Sequence, residues 1–181
     1  MDNGAGSYRR FQSGDREAFA KILTEYRSAL TLFIDSFVHD SMAAEDIAID
    51  VFTYILLNPK KYDGRVQFKT YLFMLGRSRA IDFLRHRKRN ATVSLTETAD
   101  IADRESLEEQ VLKNDQNKRL YAAIKELPEN MRTAVHLCYF EGLSYKETAS
   151  VMKRNEKQID NLLYRAKETL RVALKDGEQL I

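Results

Sequence analysis

Apolar residues recur along the first half of the chain at spacings of three and four, the period of an amphipathic helix. The first stripe predicts a long helix and contains Phe19, Ile22, Leu23, Tyr26, Leu30, Phe33, Ile34 and Phe37. Ser41 is a candidate cap for a second helix, which carries Ile47, Val51, Phe52 and Ile55 and ends near Asn58. A loop with Asp63 and Gly64 leads to a third predicted helix, from Phe68 to about Arg89.

The last third of the chain has strong helix-boundary signals. Pro128 fits the first position of a helix, where its missing N–H is tolerated. Gly142 can supply the left-handed residue that ends this helix. Ser144 and Glu147 then have the spacing of a capping box, which predicts a short helix through Met152.

A second cap and a longer helix follow. Asn155 and Gln158 can form another capping pair. The buried stripe predicted after them consists of Ile159, Leu162, Leu163, Ala166 and Leu170. A short helix, a tight turn and a long basic helix are typical of a helix-turn-helix, which inserts its second helix into the DNA major groove. An ordinary three-helix packing unit is the alternative.

Composition favours a helical protein without catalytic chemistry. Of the 181 residues, 44% are hydrophobic and 31% charged, with only two prolines and seven glycines, so we expect an all-α fold. The single cysteine, Cys138, excludes a disulfide within the chain. The three histidines, His39, His86 and His136, lack metal-ligand spacing, and no glycine-rich phosphate loop is present. We therefore expect no cofactor, no metal, no small-molecule substrate and no enzymatic activity.

No apolar stretch approaches the ~18 residues that a transmembrane helix needs, and no basic-then-apolar leader is visible. We therefore expect a cytoplasmic protein.

Charge divides the chain into three segments. Residues 91–115 contain seven acidic and two basic side chains, a net charge of −5, although the whole chain has a net charge of +2. We predict an N-terminal domain over 1–90, an acidic linker over 91–116 and a C-terminal helix-turn-helix domain over 117–181. A flexible tether whose charge serves only solubility is the plainer interpretation of the linker.

The third predicted helix combines cations and rings. Residues 65–89 carry eight Lys or Arg and one acid, interleaved with Phe68, Tyr71, Phe73 and Phe83. Cations that follow phosphates, beside rings that stack on bases, are typical of single-stranded nucleic-acid sites. The alternative is that the rings belong to the core and that the basic tail is a solvated helix end.

Together these patterns resemble the bacterial RNA polymerase sigma factors of the extracytoplasmic-function (ECF) class. The resemblance is carried, in order, by residues 14–19, 44–52, 68–85 and 127–167. It implies an all-α protein with two small helical domains. Such a protein binds core RNA polymerase and directs promoter-specific transcription initiation at minus-ten and minus-thirty-five elements. It also implies a cognate anti-sigma protein as a partner.

The resemblance also implies roles for particular residues. Those implied in core-polymerase binding are Asp46, Ile47, Asp50 and Phe52. Those implied in minus-ten binding, with the loop 63–67, are Lys69, Tyr71, Arg77, Ser78, Arg85, Arg87 and Lys88. Those implied in minus-thirty-five binding are Arg154, Asn155, Lys157, Gln158, Asp160, Asn161, Tyr164 and Arg165. Among the last set, Gln158, Asn161 and Tyr164 are the candidates for base edges.

Three positions depart from the family pattern. Tyr71 stands where the family usually has Trp, and Ser78 where it has Asn. Asp160 replaces a residue that is commonly basic; an acid there repels phosphate but can accept from cytosine N4. A free-standing regulator with a helix-turn-helix and a helical sensing domain is the runner-up function.

Overall fold

The computed structural model describes residues 4–93 and 115–176. Throughout these two ranges the regular structure is helical, with no strand, which confirms the predicted all-α class. The α-helices are α1 (Ala5–Gln12), α2 (Arg16–Val38), α3 (Ser41–Leu57), α4 (Phe68–Val93), α5 (Asp115–Lys125), α6 (Glu129–Val135), α7 (Tyr145–Met152) and α8 (Glu156–Asp176). In these ranges no helix is both long and apolar enough to cross a bilayer.

The described residues form two compact units, and the first is built from α1–α4. The helices α2, α3 and α4 pack against one another around an apolar core. The largest side chains without exposed surface in this core include Ile22, Leu30, Phe33, Ile34, Ile55, Phe68, Leu72 and Phe73. The predicted stripe on α2 is therefore confirmed as the buried face of the first long helix, except that Leu23 is only partly buried.

Short polar side chains cap α2 and α3. The Asp15 carboxylate accepts a hydrogen bond from the backbone N–H of Ala18 at 3.1 Å. The cap of α3 is Asp40 and not Ser41 as predicted, because the Asp40 carboxylate accepts from the N–H of Ala43 at 3.1 Å. Ser41 is the first helical residue of α3.

The helix α1 was not predicted from the sequence. Its eight residues contain only Tyr8 and Phe11 as large apolar side chains, too few to show a period. Tyr8 is fully buried against α4, so this short helix is fixed by tertiary packing rather than by a long stripe of its own.

The second unit contains α5, α6, most of α7 and α8. The helix α8 packs against α5 and α6. Its fully buried face is formed by Ile159, Leu163 and Ala166, which confirms the predicted stripe at those positions. Leu162 and Leu170, predicted in the same stripe, are only partly buried.

The boundaries of α6 differ slightly from the prediction. Pro128 is the N-cap residue, one position before the first helical residue, and its carbonyl accepts from the N–H of Met131 at 2.8 Å. Residues His136–Phe140 continue α6 as a π-helical turn, which periodicity did not indicate. Gly142 has a φ of 66°, the left-handed conformation predicted for the stop.

The turn between α7 and α8 holds a strained residue, which yields a stability prediction. Lys153 is exposed and has a left-handed φ of 54°. Such a backbone costs a residue with a Cβ atom roughly 1–2 kcal/mol, whereas glycine adopts it freely. A new glycine also costs about 0.5–1 kcal/mol in added chain entropy, so we expect Lys153→Gly to raise the free energy of unfolding by a net of about 0.5–1 kcal/mol in urea denaturation followed by circular dichroism.

The neighbouring exposed Arg154 provides the matched control. Arg154→Gly removes the same charge, but Lys153 and His39 are the only described non-glycine residues with positive φ. We expect Arg154→Gly to lower the free energy of unfolding by about 0.5–1 kcal/mol through added chain entropy. Equal effects of the two substitutions would contradict the assignment of strain to Lys153.

Candidate polymerase and nucleic-acid interfaces

The four residues predicted to bind core polymerase lie on two faces of α3. Asp46 and Asp50 are exposed. Ile47 and Phe52 are only 7% and 4% exposed, because they pack into the core of the first unit. Ile47 and Phe52 therefore offer little surface to a partner in this fold, where they support α3 from inside, and of the four predicted residues only Asp46 and Asp50 are exposed.

The exposed face of α3 also carries apolar side chains that were not predicted from the sequence. Met42, Ile49 and Leu56 are 68%, 51% and 46% exposed and recur every seven residues. Residues seven apart lie on the same side of a helix, so these three share the solvent face of α3. The sequence signal that indicates these exposed side chains is their seven-residue spacing, which is out of phase with the buried positions of α3.

The rings of α4 have separate roles. Phe68 and Phe73 have no exposed surface, so the core interpretation is correct for these two. Tyr71 and Phe83 are partly exposed and can still meet a base. Burial raises the pKa of Tyr71 above its usual value, so its phenol stays neutral at physiological pH.

Several cations along α4 lie over aromatic rings. The Arg79 guanidinium is 5.5 Å from the ring centroid of Tyr54, and that of Arg87 is 6.0 Å from the Phe83 centroid. Lys69 Nζ is 5.9 Å from the Phe73 centroid. These contacts hold the arginine planes against the protein while their charges face solvent.

The remaining predicted minus-ten residues differ in accessibility. Ser78, Arg85, Arg87 and Lys88 are exposed, and Lys69 and Arg77 are partly buried. Arg85 forms an ion pair with Asp82 at 3.5 Å. The exposed basic end of α4 thus has the accessibility that phosphate contact requires.

The loop before α4 is held in a defined turn. The Tyr62 hydroxyl donates to the carbonyl of Val66 at 2.7 Å. The backbone N–H of Arg65 donates to an Asp63 carboxylate oxygen at 3.1 Å, and the Arg65 guanidinium pairs with the same side chain. Side chain to backbone bonds of this kind fix tight turns.

All eight residues predicted to read the minus-thirty-five element are exposed: Arg154, Asn155, Lys157, Gln158, Asp160, Asn161, Tyr164 and Arg165. They lie in the turn before α8 and on its solvent face, opposite the stripe of Ile159, Leu163 and Ala166. The helix thus offers a continuous polar surface.

Both predicted capping boxes are confirmed. At α7, Ser144 Oγ accepts from the N–H of Glu147 at 3.3 Å, and the Glu147 carboxylate accepts from the N–H of Ser144 at 2.8 Å. At α8, Asn155 Oδ1 accepts from the N–H of Gln158 at 2.9 Å, and Gln158 Oε1 accepts from the N–H of Asn155 at 3.0 Å.

The cap of α8 limits what Gln158 can read. A bidentate contact to adenine requires both the oxygen and the nitrogen of the side-chain amide. The hydrogen bond from the Asn155 N–H occupies one lone pair of Gln158 Oε1 and turns this oxygen toward the backbone at the start of α8, which disfavours a bidentate contact by Gln158. Asn161, one turn further along and exposed, is the better placed amide for a bidentate contact.

A tyrosine restrains the next basic residue of α8. Lys167 Nζ is 5.5 Å from the ring centroid of Tyr139, which is 54% exposed. A hydrogen bond to Tyr139 is the main cause that raises the pKa of Lys167, so its charge is secure at physiological pH. Tyr139 was not predicted to belong to this surface.

Two protein-family models match the chain. The model for sigma-70 region 2 matches residues 22–90, and the model for sigma-70 region 4 matches residues 117–170. The first match contains α3 and most of α4, and the second contains α6, α7 and most of α8.

Curated relatives are similar over nearly the whole chain. The RNA polymerase sigma-H factor of Pseudomonas aeruginosa is 30% identical over 175 residues, 92% of this chain and 91% of the relative. The ECF RNA polymerase sigma factor SigX of Bacillus subtilis is 27% identical over 160 residues, 86% of this chain and 82% of the relative.

Two solved structures share the fold. CnrH, in complex with the cytosolic domain of CnrY, has a TM-score of 0.68 and 19% identity, covering 97% of this chain and 99% of its own. The sigma factor RpoE of Bartonella quintana, in complex with the anti-sigma factor NepR, has a TM-score of 0.66 and 24% identity, covering 87% and 96%. With both region models matched in order and a 30% identical sigma factor aligned almost end to end, the chain belongs to the sigma-70 family, and its similarity to curated ECF sigma factors such as SigX assigns it to the ECF class.

Proposed function

We propose that this sigma factor divides its work between two units. As a member of its family it binds core RNA polymerase and directs promoter-specific initiation. In our proposal residues 1–90 bind the polymerase and the minus-ten element, residues 91–116 are the linker, and residues 117–181 read the minus-thirty-five element. The observation that carries this division is that each matched region contains a helix with an exposed, cation-rich surface. Most of the linker lies outside the described residues.

The polymerase contact is assigned to the solvent face of α3. Asp46 and Asp50 supply negative charge, and the exposed Ile49 lies between them in sequence. An apolar centre with a charged rim is a common composition for a protein interface. Ile47 and Phe52 stay in the core and act only by keeping α3 in place.

The minus-ten contact is assigned to α4 and the loop 63–67. Tyr71 offers a partly exposed ring for an unpaired base, and stacking contributes roughly 1–3 kcal/mol per base. Arg87 and Lys88 are exposed at the basic end of the same helix and supply phosphate contacts. Ser78 is exposed but has a shorter reach than the Asn usual in the family.

The minus-thirty-five contact is assigned to the first half of α8, inserted into the major groove. Arg154, Lys157 and Arg165 supply positive charge for phosphates, and Asn161 and Tyr164 are the base-edge candidates. Asp160 shares this exposed face, where it repels phosphate and selects for a donor such as cytosine N4.

The remaining parts of the proposal concern the setting of the protein. It acts in the cytoplasm, where polymerase and promoter DNA are found, and it catalyses no reaction of its own. The similarity to the sigma factor RpoE, solved in complex with the anti-sigma factor NepR, supports an anti-sigma partner for this chain too. Neither a cofactor nor a small-molecule substrate is required.

Run-off transcription tests the function directly. Fragmented genomic DNA is transcribed by bacterial core RNA polymerase with and without the full-length protein, and the transcript starts are mapped. We expect new starts that share two upstream elements. Duplex binding by the protein alone, with no new starts when polymerase is added, would instead favour a free-standing regulator.

A substitution in α8 tests base reading. We expect Asn161→Ala to lose roughly 1–3 kcal/mol of discrimination at a single minus-thirty-five position, because a bidentate base contact would be removed. The measurement is holoenzyme binding to a set of promoters that carry every base at each position of the element.

Gln158→Ala is the matched comparison, because it truncates an exposed amide on the same helix. The substitution removes the capping bond from the Asn155 N–H to Gln158 Oε1 and leaves the bond from the N–H of residue 158 to Asn155 Oδ1, so we expect modestly weaker binding to all promoters alike, with an unchanged base preference. A position-specific loss for Gln158→Ala, or a uniform loss for Asn161→Ala, would reverse these two assignments.

Salt dependence tests the basic end of α4. We expect the double substitution Arg87→Gln and Lys88→Gln to weaken open-complex formation and to flatten its dependence on salt concentration. The slope should fall by about 0.7 for each phosphate of single-stranded DNA that the variant no longer neutralises. Arg85 is left unchanged, because Asp82 already offsets its charge.

The control removes two exposed cations far from α4 in sequence, Arg16→Gln and Lys21→Gln. It changes the net charge of the protein equally, so a general charge effect would alter both salt slopes. A slope that stays at the wild-type value in the α4 variant would exclude phosphate contact by Arg87 and Lys88.

A further inference from the structure

The helix α1 precedes the residues that match sigma-70 region 2. It nevertheless packs against the start of α4, the helix proposed to bind the minus-ten element. The ring of Tyr8, which has no exposed surface, stacks on Phe68 with centroids 4.6 Å apart. Phe68 is the first residue of α4. The start of the proposed DNA-binding helix is therefore covered by α1.

Two side chains of α1 bind the same backbone carbonyl. The Tyr8 hydroxyl donates to the carbonyl of Pro59 at 2.9 Å, and Gln12 Nε2 donates to it at 2.7 Å. Gln12 Nε2 also lies 3.5 Å from the carbonyl of Tyr62. These bonds join α1 to the turn that leads into the loop 63–67.

Tyr62 connects this turn to the ring proposed to stack on a base. Its ring packs edge-on against Tyr8 at 5.0 Å and lies 5.2 Å from the ring of Tyr71. Its hydroxyl also donates to the Val66 carbonyl within the loop. A shift of α1 would therefore reach both the loop and Tyr71 through one side chain.

The start of α1 leaves little room for such a shift. Gly4 precedes the helix with a φ of 77°, and a Cβ atom there would lie 2.8 Å from the Phe68 ring and 3.0 Å from Tyr26. Burial, reinforced by neighbouring tyrosines, raises the pKa of Tyr8 to about 12, so its hydroxyl remains a donor throughout the physiological pH range.

We propose that Tyr8 and Gln12 are positioning residues for minus-ten recognition. Through the Pro59 carbonyl and Tyr62 they hold the loop 63–67 and Tyr71 in the geometry that receives an unpaired base. Neither residue touches DNA in this proposal. The benefit is entropic, because a loop that is already ordered loses less conformational freedom when the base binds. The inference rests on the proposed minus-ten function of α4.

The test uses holoenzyme assembled from core polymerase and the full-length protein with Tyr8→Phe and Gln12→Ala. Tyr8→Phe keeps the buried ring and removes only the hydroxyl, and Gln12 is exposed, so each substitution spares the core. The probe is fork-junction DNA whose minus-ten element, taken from a mapped start site, is unpaired on the non-template strand.

We expect the double variant to bind this probe roughly 5- to 30-fold more weakly, in line with the loss of two hydrogen bonds. Its discrimination between minus-ten bases should fall as well. Discrimination at the minus-thirty-five element and affinity for core polymerase should keep their wild-type values. Gln12→Ala alone, at an exposed position, should show a smaller loss of the same kind.

Ser13→Ala is the matched control. Ser13 Oγ donates to the carbonyl of Arg10 at 2.8 Å, so the substitution removes a hydrogen bond at the end of α1 without touching the Pro59 turn. We expect wild-type binding and base discrimination. A loss equal to that of the double variant would mean that α1 acts only through general stability, which would overturn the proposal.

Two further results would also overturn it. Wild-type minus-ten affinity and discrimination in the double variant would show that Tyr8 and Gln12 are not needed to hold the loop 63–67 in place. An equal loss at the minus-thirty-five element would show a fall in the folded fraction instead. If wild-type holoenzyme itself does not discriminate minus-ten bases, the proposed function of α4 fails and the inference fails with it.

Discussion

The ring of Phe68 is the contact on which the first unit depends. It touches Tyr8 of α1, Tyr26 of α2 and Tyr62 of the loop, with centroid separations of 4.6, 6.1 and 5.7 Å. Burying a large aromatic side chain contributes a few kcal/mol, and here that burial joins three elements at one point. Phe68 is also the first residue of α4, so a residue of the core starts the helix that is proposed to bind the minus-ten element. Stability and the proposed base capture are thereby coupled in one helix.

In the second unit, hydrogen bonds at the start of α8 have to meet two requirements at once. The start of a recognition helix must present side chains to DNA, and it must also satisfy its own unpaired N–H groups. Asn155 and Gln158 satisfy those groups with their amide oxygens, which leaves less of each amide for bases. In the proposed function, base reading is carried by Asn161 and Tyr164 further along α8, which are both exposed. The two capping oxygens accept from backbone N–H groups at the start of α8. They thus influence the proposed base specificity without contacting a base themselves.

Periodicity, capping residues and the helix-boundary signals of Pro128 and Gly142 were sufficient to predict α2, α3, α4, α6, α7 and α8. They were insufficient at two places. Ile47 and Phe52 occupy apolar positions beside exposed acids, and a period identifies the buried face but not which partner covers it. The eight residues of α1 are too few for a period, and their position is set by Tyr8 meeting Phe68, which is distant in sequence. Contacts of that kind require the fold.

The charge distribution suits a protein whose two DNA contacts act together. The net charge is only +2, yet the segment 65–89 has eight cations against one acid, and residues 91–115 carry −5. Such a chain has little long-range attraction to duplex DNA, because its net charge is small and salt screens exposed charges beyond a Debye length of about 8 Å at physiological ionic strength. Two weak DNA contacts give a higher overall affinity when their separation is fixed, because binding at the first site raises the effective concentration at the second. In the proposed function core polymerase provides that separation. Promoter selection is then a property of the holoenzyme, and weak binding by the free protein is part of the mechanism.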